Sequence, residues 1–246
     1  MSLRRKQPFP WQAKDLSIKV NLTAYLNVCP TEDYYMLAET RGGWIGQHRQ
    51  RLTRQLAVIH RVSGIAFKEF SRLADISHEN IAHPIALYVS TDSSSIVYEF
   101  VDLDVHEILP LNLPEIAVVM TQITSAVHFL LKQSILFRIH SIRVSYRGVV
   151  KIVLDWDFEP LLAEEIQEAN GAYIAAYLDE FMEVAGRTLL GWTRSAISFR
   201  ASLQDGLIPE LEHPFLLPNG NKMRLHEQAM FAMRKTMLQQ APQEAL

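Results

Sequence analysis

The sequence predicts an α+β protein with a strand-rich front and a helical back. Over roughly the first hundred residues, apolar β-branched runs alternate with turn signals, with a single helix-spaced segment among them. Further along, apolar residues recur at spacings of three and four, in segments long enough for helices. The texture changes at Asp102-Leu103-Asp104, which we take as the joint between the two parts.

Composition bounds the rest. The chain has 246 residues, 48% hydrophobic and 21% charged, enough apolar material for one large domain or two lobes sharing a core. A net charge of −3 gives no general attraction to nucleic acid or anionic membrane, so no nucleic-acid partner is expected. The start, Met1-Ser2-Leu3-Arg4-Arg5-Lys6, is basic, but Pro8 and Pro10 follow in place of an apolar segment, and a secretory signal is not expected. Cys29 is the single cysteine, which excludes an intramolecular disulfide and a multi-cysteine zinc site. The most apolar helical stretch, Ile116 to Leu131, is interrupted by Thr121, Gln122, Thr124, Ser125 and His128, so no membrane span is expected. Together these favour an intracellular protein, cytoplasmic or nuclear.

Residues 1–33 read as an irregular extension ending near Pro30-Thr31-Glu32-Asp33, with one strand around Ile18 to Leu26. Tyr34 to Glu39 reads as a short strand, Gly42-Gly43-Trp44-Ile45-Gly46 as a glycine-rich turn, and Gln55 to Val62 as an apolar strand. Phe67, Phe70, Leu73 and Ile76 mark one helical face across Ala66 to Ile76. Ile85 to Ser90 and Ser95 to Val101 are strands separated by the turn residues Thr91-Asp92-Ser93-Ser94.

In the back half, Leu113-Pro114-Glu115 opens a helix with proline and an acid in the first turn, where both are favourable. Ile116, Val119, Met120, Ile123, Val127 and Leu130 give it a stripe to bury. Arg143 to Tyr146 and Val149 to Val153 form a small hairpin across Arg147-Gly148. Ala172 to Leu190 is a second apolar helix. Arg224 to Gln239 is a last amphipathic one, with Leu225, Met230, Met233 and Met237 on its packing face.

Several words in this order resemble the eukaryotic protein kinase superfamily, best over residues 34–160. Thr40-Arg41-Gly42-Gly43-Trp44-Ile45-Gly46 is similar to the glycine-rich loop with one residue missing, and Ala57-Val58-Ile59-His60 falls where an Ala-x-Lys strand belongs. The phosphate lysine is then Ile59 or His60, depending on a one-residue shift. His78-Glu79-Asn80-Ile81 resembles the turn after the regulatory helix, with Glu69 as the helix glutamate, although the connection from His60 to Glu69 implies a shortened helix. Ser95-Ile96-Val97-Tyr98-Glu99-Phe100-Val101 resembles the strand and hinge between lobes, with Tyr98 as gatekeeper. Phe137-Arg138-Ile139 stands where His-Arg-Asp would be, and Val150 to Asp157 ends in Asp155-Trp156-Asp157 where Asp-Phe-Gly would be. Asp179 is the candidate for the core aspartate of the central helix.

The resemblance implies a bilobal kinase-like fold in truncated form: residues 1–33 an extension, 34–101 a small antiparallel β-rich N-lobe, and 102–246 a mainly helical C-lobe. It implies a vestigial nucleotide cleft at Gly43, Gly46, Glu99 and Val101. It also implies at most a weak metal site at Asp155 and Asp157, which a solvated or hydrogen-bonding acid pair explains as well. Phosphoryl transfer relies on positioned charge. Without the lysine, the aspartate base and the following asparagine, the implied protein is a pseudokinase: no catalytic residue, no expected cofactor beyond weak ATP or Mg²⁺, and a protein partner as its business.

Three alternatives stand beside it. One is a divergent phosphotransferase of the aminoglycoside and choline kinase type, using Asp155 and Asp157. Another is a divergent kinase recruiting Glu69 or the arginines Arg49, Arg51 and Arg54. The last is a partner-binding α+β protein with no nucleotide site. His78 and His83 read as structural, and Glu164, Glu165 and Glu168 as a solvated acidic face.

Overall fold

The computed structural model describes residues 23–40, 43–50, 56–62, 76–90, 93–135, 137–155, 163–186, 191–217 and 222–240. The fold is α+β, with a mixed six-stranded sheet, a three-stranded sheet and four α-helices among the described residues. It divides into two compact units, residues 1–77 with 82–100, and residues 78–81 with 101–246.

The first unit is built on the six-stranded sheet. Its strands are β1 (Thr23–Leu26), β2 (Tyr34–Thr40), β3 (Gly43–His48), β4 (Leu56–Val62), β5 (Pro84–Val89) and β6 (Ser94–Glu99), in the order β1-β5-β6-β4-β3-β2. All neighbours are antiparallel except β1, which runs parallel to β5. The alternation read in the sequence is real, because β4 and β6 are central and bury both faces. Ala57, Val58, Ile59, His60 and Val62 of β4 and Ser94 to Tyr98 of β6 are all buried. The strand expected from Ile18 is described only as Thr23–Leu26, and the helix expected across Ala66 to Ile76 lies outside the described residues except for buried Ile76.

The glycine-rich turn expected over Gly42 to Gly46 is corrected. Gly43 to His48 is a strand paired on both sides, with β2 and with β4. Glycine is a turn signal only where nothing else needs its missing side chain. At Gly46 a Cβ would stand 2.7 Å from Ile59 Cδ1 and 3.2 Å from Tyr34 Cβ, so the strand needs the space.

The second unit wraps the three-stranded sheet β7 (Leu103–Asp104), β8 (Arg138–Val144) and β9 (Val150–Asp155) with helices α1 (Leu113–Lys132), α2 (Ala163–Val184), α3 (Arg194–Gln204) and α4 (Lys222–Gln240). Helix α1 starts on a capping box: the Asn112 side chain accepts from Glu115 N–H at 3.0 Å, and Glu115 accepts from Asn112 N–H at 2.8 Å. By length and composition alone α1 passes for a membrane-crossing helix, as the core helix of a packed unit also does. Two-thirds of its apolar window is buried in the unit, and Ile116, Val119, Met120, Ile123 and Leu130 have no exposed surface.

Helix α2 begins nine residues earlier than the apolar stretch suggests, and α3 was not anticipated at all. Thr193 caps α3 by accepting from Ala196 N–H at 3.2 Å, and only Ala196, Phe199 and Leu203 of the helix are buried. Such a thin apolar face leaves a weak periodic signal. The packing face of α4 also shifts: Leu225, Ala229 and Ala232 are buried, while Met230 and Met233 are only half-buried.

Candidate functional site

Of the residues expected at a nucleotide cleft, Gly46 and Glu99 share one face of the six-stranded sheet, and Gly43 lies on the opposite face, towards His60. On the sheet, Gly46 pairs with Ala57, and Trp44 with Ile59. Cross-strand partners share a face, so Gly46, Ala57 and Ile59 lie on one side, and Val58 and His60 on the other. The register thus puts Ile59 on the side of Ala57 and Gly46, and His60 on the opposite side. His60 turns the other way, edge-on to buried Tyr98 at 5.6 Å.

The Ile59 face is filled. Tyr34, Ala57, Ile59, Ala86, Tyr88 and Val97 form a buried cluster with Tyr25 and Met36 against it. Tyr25 stacks on Tyr88 with centroids 4.6 Å apart, and Tyr34 meets Tyr88 edge-on. The Tyr88 hydroxyl donates to Asp33 Oδ2 at 2.9 Å, and burial followed by that bond pushes its pKa upward. A Cβ at Gly43 would stand 2.5 Å from the Ile59 carbonyl oxygen. Both glycines therefore serve close packing within the sheet.

Glu99 and Val101, expected at the cleft, each have backbone groups engaged within their own unit. Glu99 N–H donates to the His83 carbonyl at 2.8 Å, while the Glu99 carboxylate accepts from His83 N–H at 2.8 Å. In the second unit, the Val101 carbonyl accepts from Arg143 Nε at 3.0 Å.

From Arg138 onward, the segment compared with His-Arg-Asp is the strand β8. Arg138 pairs with Asp155, Ile139 with Leu154 and Ser141 with Val153, with an irregularity between Ile139 and Ser141. Phe137 and Ile139 are buried. Asn170, itself 3% exposed, accepts from Ile139 N–H at 3.0 Å and donates to the Phe137 carbonyl at 2.7 Å. One amide thus pins the backbone on both sides of Arg138. The sequence carried a signal for it: Asn170 interrupts the buried stripe of Ile166, Ile174, Leu178 and Phe181 at helical spacing.

Asp155 ends β9 half-buried, across the ladder from exposed Arg138, and Asp157 lies outside the described residues. No cluster of three metal-ligating side chains occurs among the described residues. Asp179, the candidate core aspartate, instead grips Arg200 of α3 in a two-pronged pair, at 2.5 Å and 2.7 Å. Glu69, Arg51 and Arg54 lie outside the described residues. Arg49 stands exposed over the Tyr35 ring.

His78-Glu79-Asn80-Ile81 is structural. Asn80 Nδ2 donates to Gln122 Oε1 of α1 and to the Val150 carbonyl, each at 2.9 Å, and Val150 N–H donates to the same Gln122 oxygen. Ile152 N–H reaches the Asn80 carbonyl at 2.9 Å, and Ile81 bridges to Ile152. His78 lies against Phe129. A small apolar cavity of about 20 Å³, lined by Val127, Leu131, Phe137, Ile166 and Ile208, sits beside Asn170 and has room for little more than one water. No protein-family model matches the chain, and no curated protein matches it.

Proposed function

We propose that this chain is a kinase-like protein without catalytic activity that acts as a protein-interaction or regulatory scaffold inside the cell. One observation carries the silence. Phosphoryl transfer needs a carboxylate presented at the attacking hydroxyl. The residue in that position, Ile139, is buried in a paired strand with its N–H held by Asn170.

The kinase-like part of the reading draws support from the order of elements. The glycine-bearing strand β3 is hairpinned to β2. The strand of Ala57 and Ile59 lies next to the strand of Val97 to Glu99, and α1 precedes the β8–β9 hairpin. Ile59 in place of an ammonium, beneath a cluster of tyrosines, favours a sheet face that packs on itself rather than on a nucleotide.

The test is twofold. Purified protein with ATP and Mg²⁺ or Mn²⁺ is expected to transfer no phosphate and to show no metal-dependent rise in melting temperature. Turnover that vanishes in Asp155→Ala would overturn the reading. Reciprocal affinity capture should return the same protein partner from independent preparations. A phosphorylated small-molecule product with no reproducible partner would favour the phosphotransferase alternative.

A further inference from the structure

We infer that His106 is a proton-controlled tether, joining the turn after β7 to the Glu180 carboxylate of helix α2 while it is protonated and letting that carboxylate go when the proton leaves. His106 lies in the 3-10 turn Val105–Ile108. Its Nδ1 is 2.5 Å from Asp104 Oδ1, and its Nε2 is 2.9 Å from Glu180 Oε2 on α2. An ionised carboxylate only accepts, and a neutral imidazole carries one N–H. Two carboxylates on two ring nitrogens are both satisfied only by the imidazolium. Burial alone lowers the pKa of this ring, but the bonds to Asp104 and Glu180, with their charges, outweigh it and hold the pKa above the ordinary 6.5.

The two ends of the tether differ. Asp104 is local: it also accepts from His106 N–H at 3.1 Å, and its own N–H donates to Glu107, so it caps the turn whatever the ring does. Glu180 is 74 residues away in sequence, and His106 is its link to the turn. A neutral ring keeps its proton on Nδ1 for the shorter bond to Asp104. Nε2 then presents a lone pair to the Glu180 carboxylate, and that contact turns repulsive.

The surroundings leave these carboxylates to govern the ring. The ring packs against Tyr177 at 5.0 Å and edge-on to Phe181. Strand β8 brings Arg143 opposite Asp104, with its Nε committed to the Val101 carbonyl. Helix α4 also packs on the turn, and its described charged side chains Arg224, Glu227, Arg234 and Lys235 are exposed. On α2, Asp179 is paired with Arg200 and Glu183 is exposed. Release therefore frees the Glu180 side chain, while the helix itself stays packed, with Leu178, Phe181 and Met182 around it fully buried. Asn170 still holds the helix to Ile139, and the Tyr173 hydroxyl, donating to the His140 carbonyl at 2.8 Å, holds it to β8.

The experiment is an NMR titration of the His106 ring with amide hydrogen exchange of Val105 to Ile108 across the neutral range. It uses the full chain and the variants Glu180→Gln and His106→Gln. The ring should titrate above 6.5 in the parent, and Glu180→Gln should lower its midpoint by about one unit. After correction for intrinsic rates, exchange in the turn should accelerate as the ring deprotonates, and lose that pH dependence in His106→Gln. Glu180 is exposed, so Glu180→Gln reports even if His106→Gln does not fold. A midpoint at or below 6.5, or one unmoved by Glu180→Gln, would overturn the inference.

Discussion

Asn170 accepts the Ile139 N–H at 3.0 Å from the middle of a helix, and returns its own N–H to the Phe137 carbonyl. A helix thereby completes the hydrogen bonding of a strand segment and holds the backbone on both sides of Arg138. Asn170→Ala would strand a buried N–H and a buried carbonyl together. We expect a loss of about 2–4 kcal/mol in urea unfolding. Asn170→Asp, which cannot donate to Phe137, should not restore it. A cost near zero would mean that the segment is held by its pairing with β9 alone.

Ile59→Lys tests whether this face of the sheet can take up an ammonium that would hold phosphate. Ile59 is 3% exposed, against Gly46 and the tyrosine cluster, so an ammonium there has no partner in the cluster and no water. Burying an unpaired charge costs several kcal/mol or drives the amine neutral. The expected outcome is a lower melting temperature and no stabilisation by ATP with Mg²⁺. An unchanged melting temperature with new metal-dependent stabilisation would indicate an open face.

These two positions also show what could be read from the sequence. Strands β4 to β6 and helix α1 were legible because burial on both faces leaves continuous apolar runs, and because Pro114 and Glu115 mark a helix start. That Ile59 and Ile139 carry no charge was legible residue by residue. The conformation around them was not. Arg138, His140 and Ser141 look like loop residues, and only their partners on β9 make them a strand. Gly43 and Gly46 look like a turn until the large neighbours on β2 and β4 are known. Ile59 and His60 could not be told apart without the register to β3. The Asn170 contacts and the His106–Glu180 contact join residues tens of positions apart, beyond the reach of local spacing.

Gly171 marks the closest approach of α2 to α3. A Cβ there would stand 2.4 Å from the Leu203 carbonyl oxygen, a backbone atom that cannot rotate away. Gly171→Ala should therefore destabilise by about 1–3 kcal/mol through overpacking, despite alanine's higher helix propensity. The Arg200–Asp179 pair across the same two helices is partly exposed and, at about 0–1 kcal/mol, cannot hold them together against that clash. Thermal unfolding of the variant checks this. A gain in stability, as propensity alone dictates, would show that the helices separate freely.

Two histidines should make the protein sensitive to acid. His78 Nδ1 accepts from Asn80 N–H at 3.1 Å, and His213 Nδ1 accepts from Phe215 N–H at 3.2 Å, so both rings are neutral in the fold. Burial lowers both pKa values below 6.5, with Glu79 and Lys151 acting in opposite directions on His78. The unfolded chain then binds more protons than the folded one between each lowered folded value and 6.5. Their contribution is fully present above 6.5 and is lost as pH falls through that window. His106 has the opposite sign, contributing below 6.5 and losing its contribution as pH rises through its raised folded value. Denaturant unfolding across pH should show stability falling on the acid side, and His78→Gln should flatten that limb while leaving the alkaline limb in place. If His78→Gln leaves the acid limb unchanged, the ring is not held neutral by Asn80, and the turn of His78 to Ile81 rests on the Asn80–Gln122 bond instead.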